Sequence, residues 1–163
     1  MKRIMTTLLA MVMMIAMLTG CGSDPVAEEL EKFLNQDMVA VNAKYEELKA
    51  EMNKWDSLED DAALIASLKG NVLPNIDESL AMLSKIDLQT EELKAIKEKY
   101  QKMLEAYKEG FQIMLSAAEA GDEAGVEASG VKIDEGIKLL DEYNKALEDL
   151  AKEKNMEVTY ESK

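Results

Sequence analysis

Residues 25–55, PVAEELEKFLNQDMVAVNAKYEELKAEMNKW, decide how this chain is expected to fold. Apolar side chains recur in this stretch at steps of three or four residues, about 3.5 on average, which is the seam of a helix that packs against other helices at a shallow angle. The seam consists of Leu30, Leu34, Met38, Val41, Tyr45, Leu48, Met52 and Trp55. Asp24 offers a capping carboxylate, and Pro25 lacks an N–H that would be unpaired in the first turn anyway. At 1.5 Å per residue, the pattern predicts one rod of about 46 Å.

Three further helices are predicted by the same periodicity, separated by polar turns near residues 56–61, 87–90 and 121–122. Asp60 or Asp61, Thr90 and Asp122 are the expected caps of these helices. The second seam is Leu64, Leu68, Val72, Ile76, Leu80 and Leu83. The third is Leu93, Ile96, Tyr100, Met103, Tyr107, Phe111, Met114 and Ala118. The fourth is Val126, Ile133, Ile137, Leu140, Tyr143, Leu147 and Leu150.

Together these helices predict an all-α domain over residues 25–155, an antiparallel up-down-up-down four-helix bundle. The second helix is expected to kink near Gly70 and Pro74, because a proline ring clashes with the carbonyl four residues before it. Two short helices meeting near Asn71, or a three-helix bundle with an irregular second segment, are the alternatives. No stretch predicts a paired sheet, and the tail, residues 156–163, is expected to lie extended against the bundle.

The amino terminus carries a targeting pattern. Lys2 and Arg3 precede an apolar run over residues 4–18, which is shorter than the roughly 20 residues that span a bilayer. Leu18-Thr19-Gly20-Cys21 follows, with small residues before the only cysteine of the chain. This layout of charged, apolar and small-residue regions is typical of a secretory signal peptide, which we place at residues 1–20.

Leu18-Thr19-Gly20-Cys21 resembles the lipobox of bacterial lipoproteins. The resemblance implies cleavage between Gly20 and Cys21, a diacylglyceryl group on the Cys21 sulfur, and a short tether over residues 21–24. Two acyl chains hold a protein stably on a membrane, so the expected location is the outer face of the cytoplasmic membrane. The abundance of lysine over arginine favours a single-membrane bacterium. An ordinary cleaved signal with a chance cysteine, or a short membrane anchor, are the alternatives.

Composition excludes several classes of function. Without residues 1–20 the chain keeps 17 lysines against 33 acidic residues, a formal charge of −16, which argues against binding nucleic acid or anionic lipid. The chain has no histidine and no cysteine besides Cys21, so zinc, copper, haem and iron–sulfur sites lack their usual ligands. Only hard cations such as calcium remain as cofactors, and no calcium-loop motif is present. Without a catalytic motif, we expect a protein that is not an enzyme.

Two candidate sites follow from the predicted topology. The first and third turns would meet at the end of the bundle farthest from the lipid. They would gather an acidic tip around the only tryptophan, which consists of Trp55, Asp56, Glu59, Asp60, Asp61, Glu119, Asp122 and Glu123. Such a tip is suited to a divalent cation or a cationic partner, although acids at these positions also serve as ordinary helix caps.

The second candidate is an internal pocket lined by the seam tyrosines, Tyr45, Tyr100, Tyr107 and Tyr143. Simple packing of their rings, with the hydroxyls pointing to solvent, is the alternative. The leading functional hypothesis is a non-enzymatic interaction module of the cell envelope that binds another envelope protein. The second is a lipoprotein that holds a small molecule in the bundle or a cation at the tip, and the third is a structural spacer or adhesin.

Overall fold

The fold is given by a computed structural model that describes residues 13–18, 24–58 and 60–161. Six α-helices form its body: α1 (Pro25–Lys32), α2 (Val39–Met52), α3 (Asp61–Ser67), α4 (Leu73–Leu83), α5 (Glu91–Ala120) and α6 (Glu123–Glu153). A π-helical turn (Phe33–Asp37) joins α1 to α2, another (Leu68–Val72) joins α3 to α4, and Trp55–Ser57 form a 3₁₀ turn. Two short strands, β1 (Met13–Leu18) and β2 (Met156–Glu161), complete the described elements. The body is a helical bundle, which confirms the all-α class.

The core contains the predicted seams. Of the residues in the four patterns, all are buried except Trp55, Leu80, Val126 and Ile137, which are half-buried and pack against the core. Phe33, Ile86, Leu88 and Leu104 are also buried although the seams did not include them. No helix in the described ranges is both long enough and apolar enough to cross a membrane.

The first predicted rod is not a single α-helix, since its seam passes through the π turn at Phe33–Asp37. Met38 N donates to the Phe33 carbonyl across five residues at 2.9 Å. On an ideal α-helix two residues five apart point about 140° away from each other, whereas the wider π turn brings them near one face. Phe33 and Met38 are in fact both fully buried. The π turn therefore brings Phe33 and Met38 together onto the buried side of this segment.

The kink expected near Gly70 and Pro74 is a π turn in the structure. Helical conformation continues from Asp61 to Leu83, with Leu73 N donating to the Leu68 carbonyl across five residues. Pro74 follows in the first turn of α4, where it needs no donor. A wider turn just before Pro74 relieves the clash that its ring would make with the Gly70 carbonyl.

Helices α5 and α6 pack closely because glycines stand at their contact. A Cβ on Gly136 would lie 2.4 Å from the Tyr107 ring, and one on Gly125 would lie 2.8 Å from Ala117 Cβ. Gly110 similarly faces Ile133, at 2.9 Å. The turn between the helices uses Gly121, whose φ of 65° is the left-handed conformation that ends many helices.

Strands β1 and β2 join the two ends of the chain, in contrast to the prediction that no stretch pairs as a sheet. They are antiparallel, in a register from Met13 opposite Glu161 to Leu18 opposite Met156. Met156 is buried, Glu157 is exposed and Val158 packs on the core, so this part of the tail does lie against the bundle. A pairing between segments so far apart in sequence leaves no local pattern, which is why it was not predicted. Strand β1 lies inside the expected signal peptide.

Candidate functional site

The predicted acidic tip does not form one cluster. Asp60 and Asp122 serve as caps, since their carboxylates accept from Ala63 N at 2.8 Å and from Gly125 N at 3.1 Å. Glu119 is ion-paired with Lys69 of the second π turn. Asp61 and Glu123 occupy first turns of helices, Asp56 is exposed in the 3₁₀ turn, and Glu59 lies outside the described residues. Among the residues that are described, no three acidic side chains are arranged to hold a metal ion.

Trp55 is held inward rather than presented at the tip. Its ring meets Phe111 edge-on, with centroids 5.7 Å apart and an interplanar angle of 86°. Its indole Nε1 donates to Ser67 Oγ at 2.8 Å. Both contacts hold the half-buried side chain against α5 and α3. Trp55 therefore packs at the edge of the core and is not an exposed recognition residue.

The Ser67 hydroxyl continues into a polar network centred on Glu51. Glu51 Oε1 accepts from Ser67 Oγ and from Asn71 Nδ2, each at 2.8 Å, and Glu51 Oε2 pairs with Lys54 at 2.7 Å. The hydrogen bonds from Lys54 and Asn71, opposed by partial burial and aided by Ser67, lower the pKa of Glu51 to about 2. This carboxylate therefore stays ionised and ties α2 to α3 and to the second π turn.

A groove of about 420 Å³ runs beside this network, between α2 and α4. Besides Glu51 and Asn71, its polar lining includes Lys44, which bridges Glu47 and Glu78 at 2.9 Å each. Gly70 and Pro74 form part of its wall. The charged groups of this groove are thus largely engaged with one another across the two helices, which suits a stabilising role.

The four seam tyrosines do come together, as predicted, in the middle of the core. Tyr45, Tyr100, Tyr107 and Tyr143 are all buried, and the Tyr100 and Tyr143 rings meet edge-on at 5.0 Å. The hydroxyl oxygens of Tyr45, Tyr100 and Tyr107 are inaccessible, so these side chains do not point their hydroxyls to solvent.

The Tyr100 hydroxyl has no hydrogen-bond partner in the described chain, and the Tyr45 and Tyr107 hydroxyls interact with each other but with no further group. Burial raises the pKa of Tyr107 to about 12, partly offset by the neighbouring Tyr45 hydroxyl, and burial together with Tyr107 and Tyr100 raises the pKa of Tyr45 further. Burial also holds the pKa of Tyr100 well above its usual range. An unsatisfied buried hydroxyl costs about 1–3 kcal/mol, so a polar group bound at this tyrosine layer would be stabilising.

A surface that the sequence reasoning did not single out lies on the α5–α6 pair. In the described part of the chain, the large apolar side chains that are exposed are Val39 (41 %), Ile113 (37 %) and Val131 (72 %). Ile113 and Val131 stand on this pair, and Ile113 lines a groove of about 470 Å³ together with Ala117, Ala120 and Gly125.

The exposed small and apolar residues of the pair form one stripe on each helix. Ile113 and Ala120 share one face of α5, and Ala124, Ala128 and Val131 recur at steps of four and three on α6. We call these five residues the distal face. The Gly121 turn connects the stripes at one end. Lys132 connects them at the other, where it pairs with Glu109 at 3.0 Å and Glu135 at 3.1 Å.

The signal for this face was present in the sequence as the glycine-rich first half of the fourth helix. Between Glu123 and Lys132 only Ser129 is buried, so this stretch contributes little to the core.

Comparison of the chain with protein-family models, with curated proteins and with solved structures finds no match.

Proposed function

We propose that this protein is a lipid-anchored extracytoplasmic lipoprotein of the bacterial envelope whose helical bundle is a non-enzymatic binding module for another envelope protein. Cys21 would carry the diacylglyceryl group after removal of residues 1–20, and both Gly20 and Cys21 lie outside the described residues. The observation that carries the binding role is the distal face, where Val131 is 72 % exposed on a helix. An apolar side chain exposed to this degree would gain free energy from burial against a partner.

The four-rod arrangement is part of the same proposal. We infer that α1–α2, α3–α4, α5 and α6 are the four rods of an up-down-up-down bundle. Asp24 pairs with Lys154 at 3.2 Å, and Glu29 accepts from Thr90 N at 2.9 Å, which places the starts of α1 and α5 near the end of α6. Towards the opposite end of the bundle, Trp55 just after α2 contacts Phe111 in the second half of α5, which supports the same arrangement. The distal face would then project away from the lipid.

Crosslinking on intact cells with an affinity-tagged full chain tests the binding role. We expect one abundant envelope partner, with crosslinks near the α5–α6 pair at Lys132 and fewer at Lys44 and Lys49 on α2. If no specific partner is recovered, the proposed binding role is contradicted. Metabolic labelling with a fatty acid, with Cys21→Ala as the control, tests the anchor separately.

The ligand-binding alternative is favoured by one observation, the three buried hydroxyls of the tyrosine layer. A small polar molecule seated among them would supply the missing hydrogen bonds, and its binding would raise the melting temperature. Thermal-shift screening of the full chain against small polar metabolites is the test. A genuine ligand of this site should stabilise the wild type more than Tyr100→Phe.

Tyr100→Phe also has an expected effect without any ligand. If the hydroxyl has no partner, its removal leaves the unfolding free energy unchanged or raises it by up to about 1–3 kcal/mol. Tyr143→Phe is the matched control, because it removes a hydroxyl of the same ring cluster that is not one of these three. Destabilisation by Tyr100→Phe together with an absence of stabilising compounds would mean that the layer is purely structural.

A further inference from the structure

The distal face lies within the most acidic part of the described chain. Residues 109–135 contain seven acidic side chains and a single basic one, Lys132. The acids are Glu109, Glu119, Asp122, Glu123, Glu127, Asp134 and Glu135. Residues 136–154 of the same hairpin are nearly balanced, by contrast, with four lysines against five acidic residues. Negative charge is therefore concentrated around the exposed apolar stripes.

Two of these carboxylates stand directly at the groove. Glu109 and Asp122 line it, at opposite ends of the α5 stripe, with Ile113, Ala117 and Ala120 between them. Pairing with Lys132 offsets one of the charges, and Lys69, across the bundle on the second π turn, offsets Glu119. Residues 109–131 contain no lysine, so no cation of that segment offsets the remaining acidic side chains.

We propose that the distal face docks a basic amphipathic helix of a partner protein, with apolar residues seated in the groove and lysine or arginine side chains facing the surrounding carboxylates. The inference rests on the proposed binding role and specifies the chemistry of the partner. Opposite potentials across an interface steer association and reject partners of the wrong sign. The small side chains of Ala117 and Ala120 at the groove leave room for a helix to approach closely.

A second copy of this chain is a poor occupant of the same face. The chain carries a formal charge of −14, and a symmetric contact would bring the acidic stretch 109–135 against itself. Like charges placed together across an interface cost free energy. The charge pattern therefore favours a basic partner over self-association.

Binding of defined peptides to the full chain in phosphatidylcholine nanodiscs tests the proposal, with empty nanodiscs as the blank. The probe is a helical peptide of leucine and lysine about 18 residues long, or five turns. Two comparison peptides keep the length: one replaces lysine with glutamate, and the other replaces leucine with serine. We expect only the leucine–lysine peptide to bind, and its affinity should fall as the salt concentration rises.

Variants locate the binding on the surface. Ile113→Glu and Val131→Glu should together lower the affinity for the peptide by about tenfold or more, since they place negative charge in the apolar stripes of the interface. Val39→Glu is the matched control, because Val39 is similarly exposed but stands on α2, outside the distal face. Equal weakening by Val39→Glu, or equal binding of the leucine–glutamate peptide, would overturn the proposal.

Failure of this inference is distinguishable from failure of the binding role. A partner captured on cells through Lys44 or Lys49 of α2, together with no binding of the leucine–lysine peptide, would refute the basic helix and leave the interaction module standing. Absence of any captured partner would refute the binding role itself. Circular dichroism of each variant shows that its helices are intact before a loss of binding is interpreted.

Discussion

Residues 25–83 and residues 91–153 bury seams of similar periodicity, but their backbones differ. The first region consists of four α-helices interrupted by two π turns, whereas the second consists of two α-helices of 30 and 31 residues without a break. Where the first region widens its backbone to bury large side chains such as Phe33, the second removes side chains at Gly110, Gly125 and Gly136. Close packing is thus reached by two routes, and each depends on different residues.

The largest expected effect in the first region is that of Phe33→Ala. This side chain is fully buried beside the first π turn, so its truncation should lower the free energy of unfolding by about 3–5 kcal/mol. Denaturant unfolding of the full chain measures the change. Gln36→Ala, at an exposed position in the same turn, should change stability by no more than about 0.5 kcal/mol. A large loss in Gln36→Ala instead would mean that the turn itself, and not the burial of Phe33, is the stabilising feature.

In the second region, two glycines of α6 should respond with opposite sign. Gly136→Ala brings a methyl group to 2.4 Å from the Tyr107 ring, and the resulting strain should cost about 1–3 kcal/mol. Gly130→Ala meets no atom within 4 Å and should stabilise the helix by up to about 1 kcal/mol. Melting temperatures of the two variants give the comparison. Similar behaviour of both would show that α5 and α6 can separate at Gly136 without loss.

A smaller and pH-dependent effect is expected for Glu51→Gln, about 1–2 kcal/mol at neutral pH. The folded pKa of Glu51 is about 2, below the ordinary value of 4.5, so the unfolded chain binds this proton first as the pH falls. The stabilisation is therefore complete above about pH 4.5 and is lost as the pH falls towards 2. Unfolding measured at pH 7 and pH 3 should show the gap between wild type and variant narrowing. The exposed Glu127→Gln serves as control, and a gap that stays constant with pH would contradict the assignment.

The seams could be predicted because helical periodicity is a local property, and every buried position in them follows from spacing alone. The π turns could not, since Phe33 and Leu34 are adjacent and only the surrounding helices decide that both are buried. The network of Glu51 and Ser67 joins residues 16 apart without any periodic signal. Such contacts become visible only when the helices have been placed.

The candidate sites show the same limit. The four seam tyrosines are buried because all of them lie on seams, and the pocket that they were expected to line stays a prediction. The acidic tip failed as a cluster because Asp60 and Asp122 satisfy the orphan N–H groups of their own helices, a local demand that competes with any shared site. The distal face was missed because small exposed residues carry no chemistry of their own, and their meaning depends on which helix lies beside them.

The pairing of β1 with β2 has a consequence for the maturation of the chain. Strand β1 lies at residues 13–18, within the segment that cleavage before Cys21 would remove, while β2 stays attached to the core through Met156. Such cleavage would also affect the opposite end of the described chain. The backbone N–H and carbonyl groups of residues 156–161 that face β1 would lose their hydrogen-bond partners. Amide hydrogen exchange in these six residues would accordingly distinguish the full chain from one cleaved before Cys21.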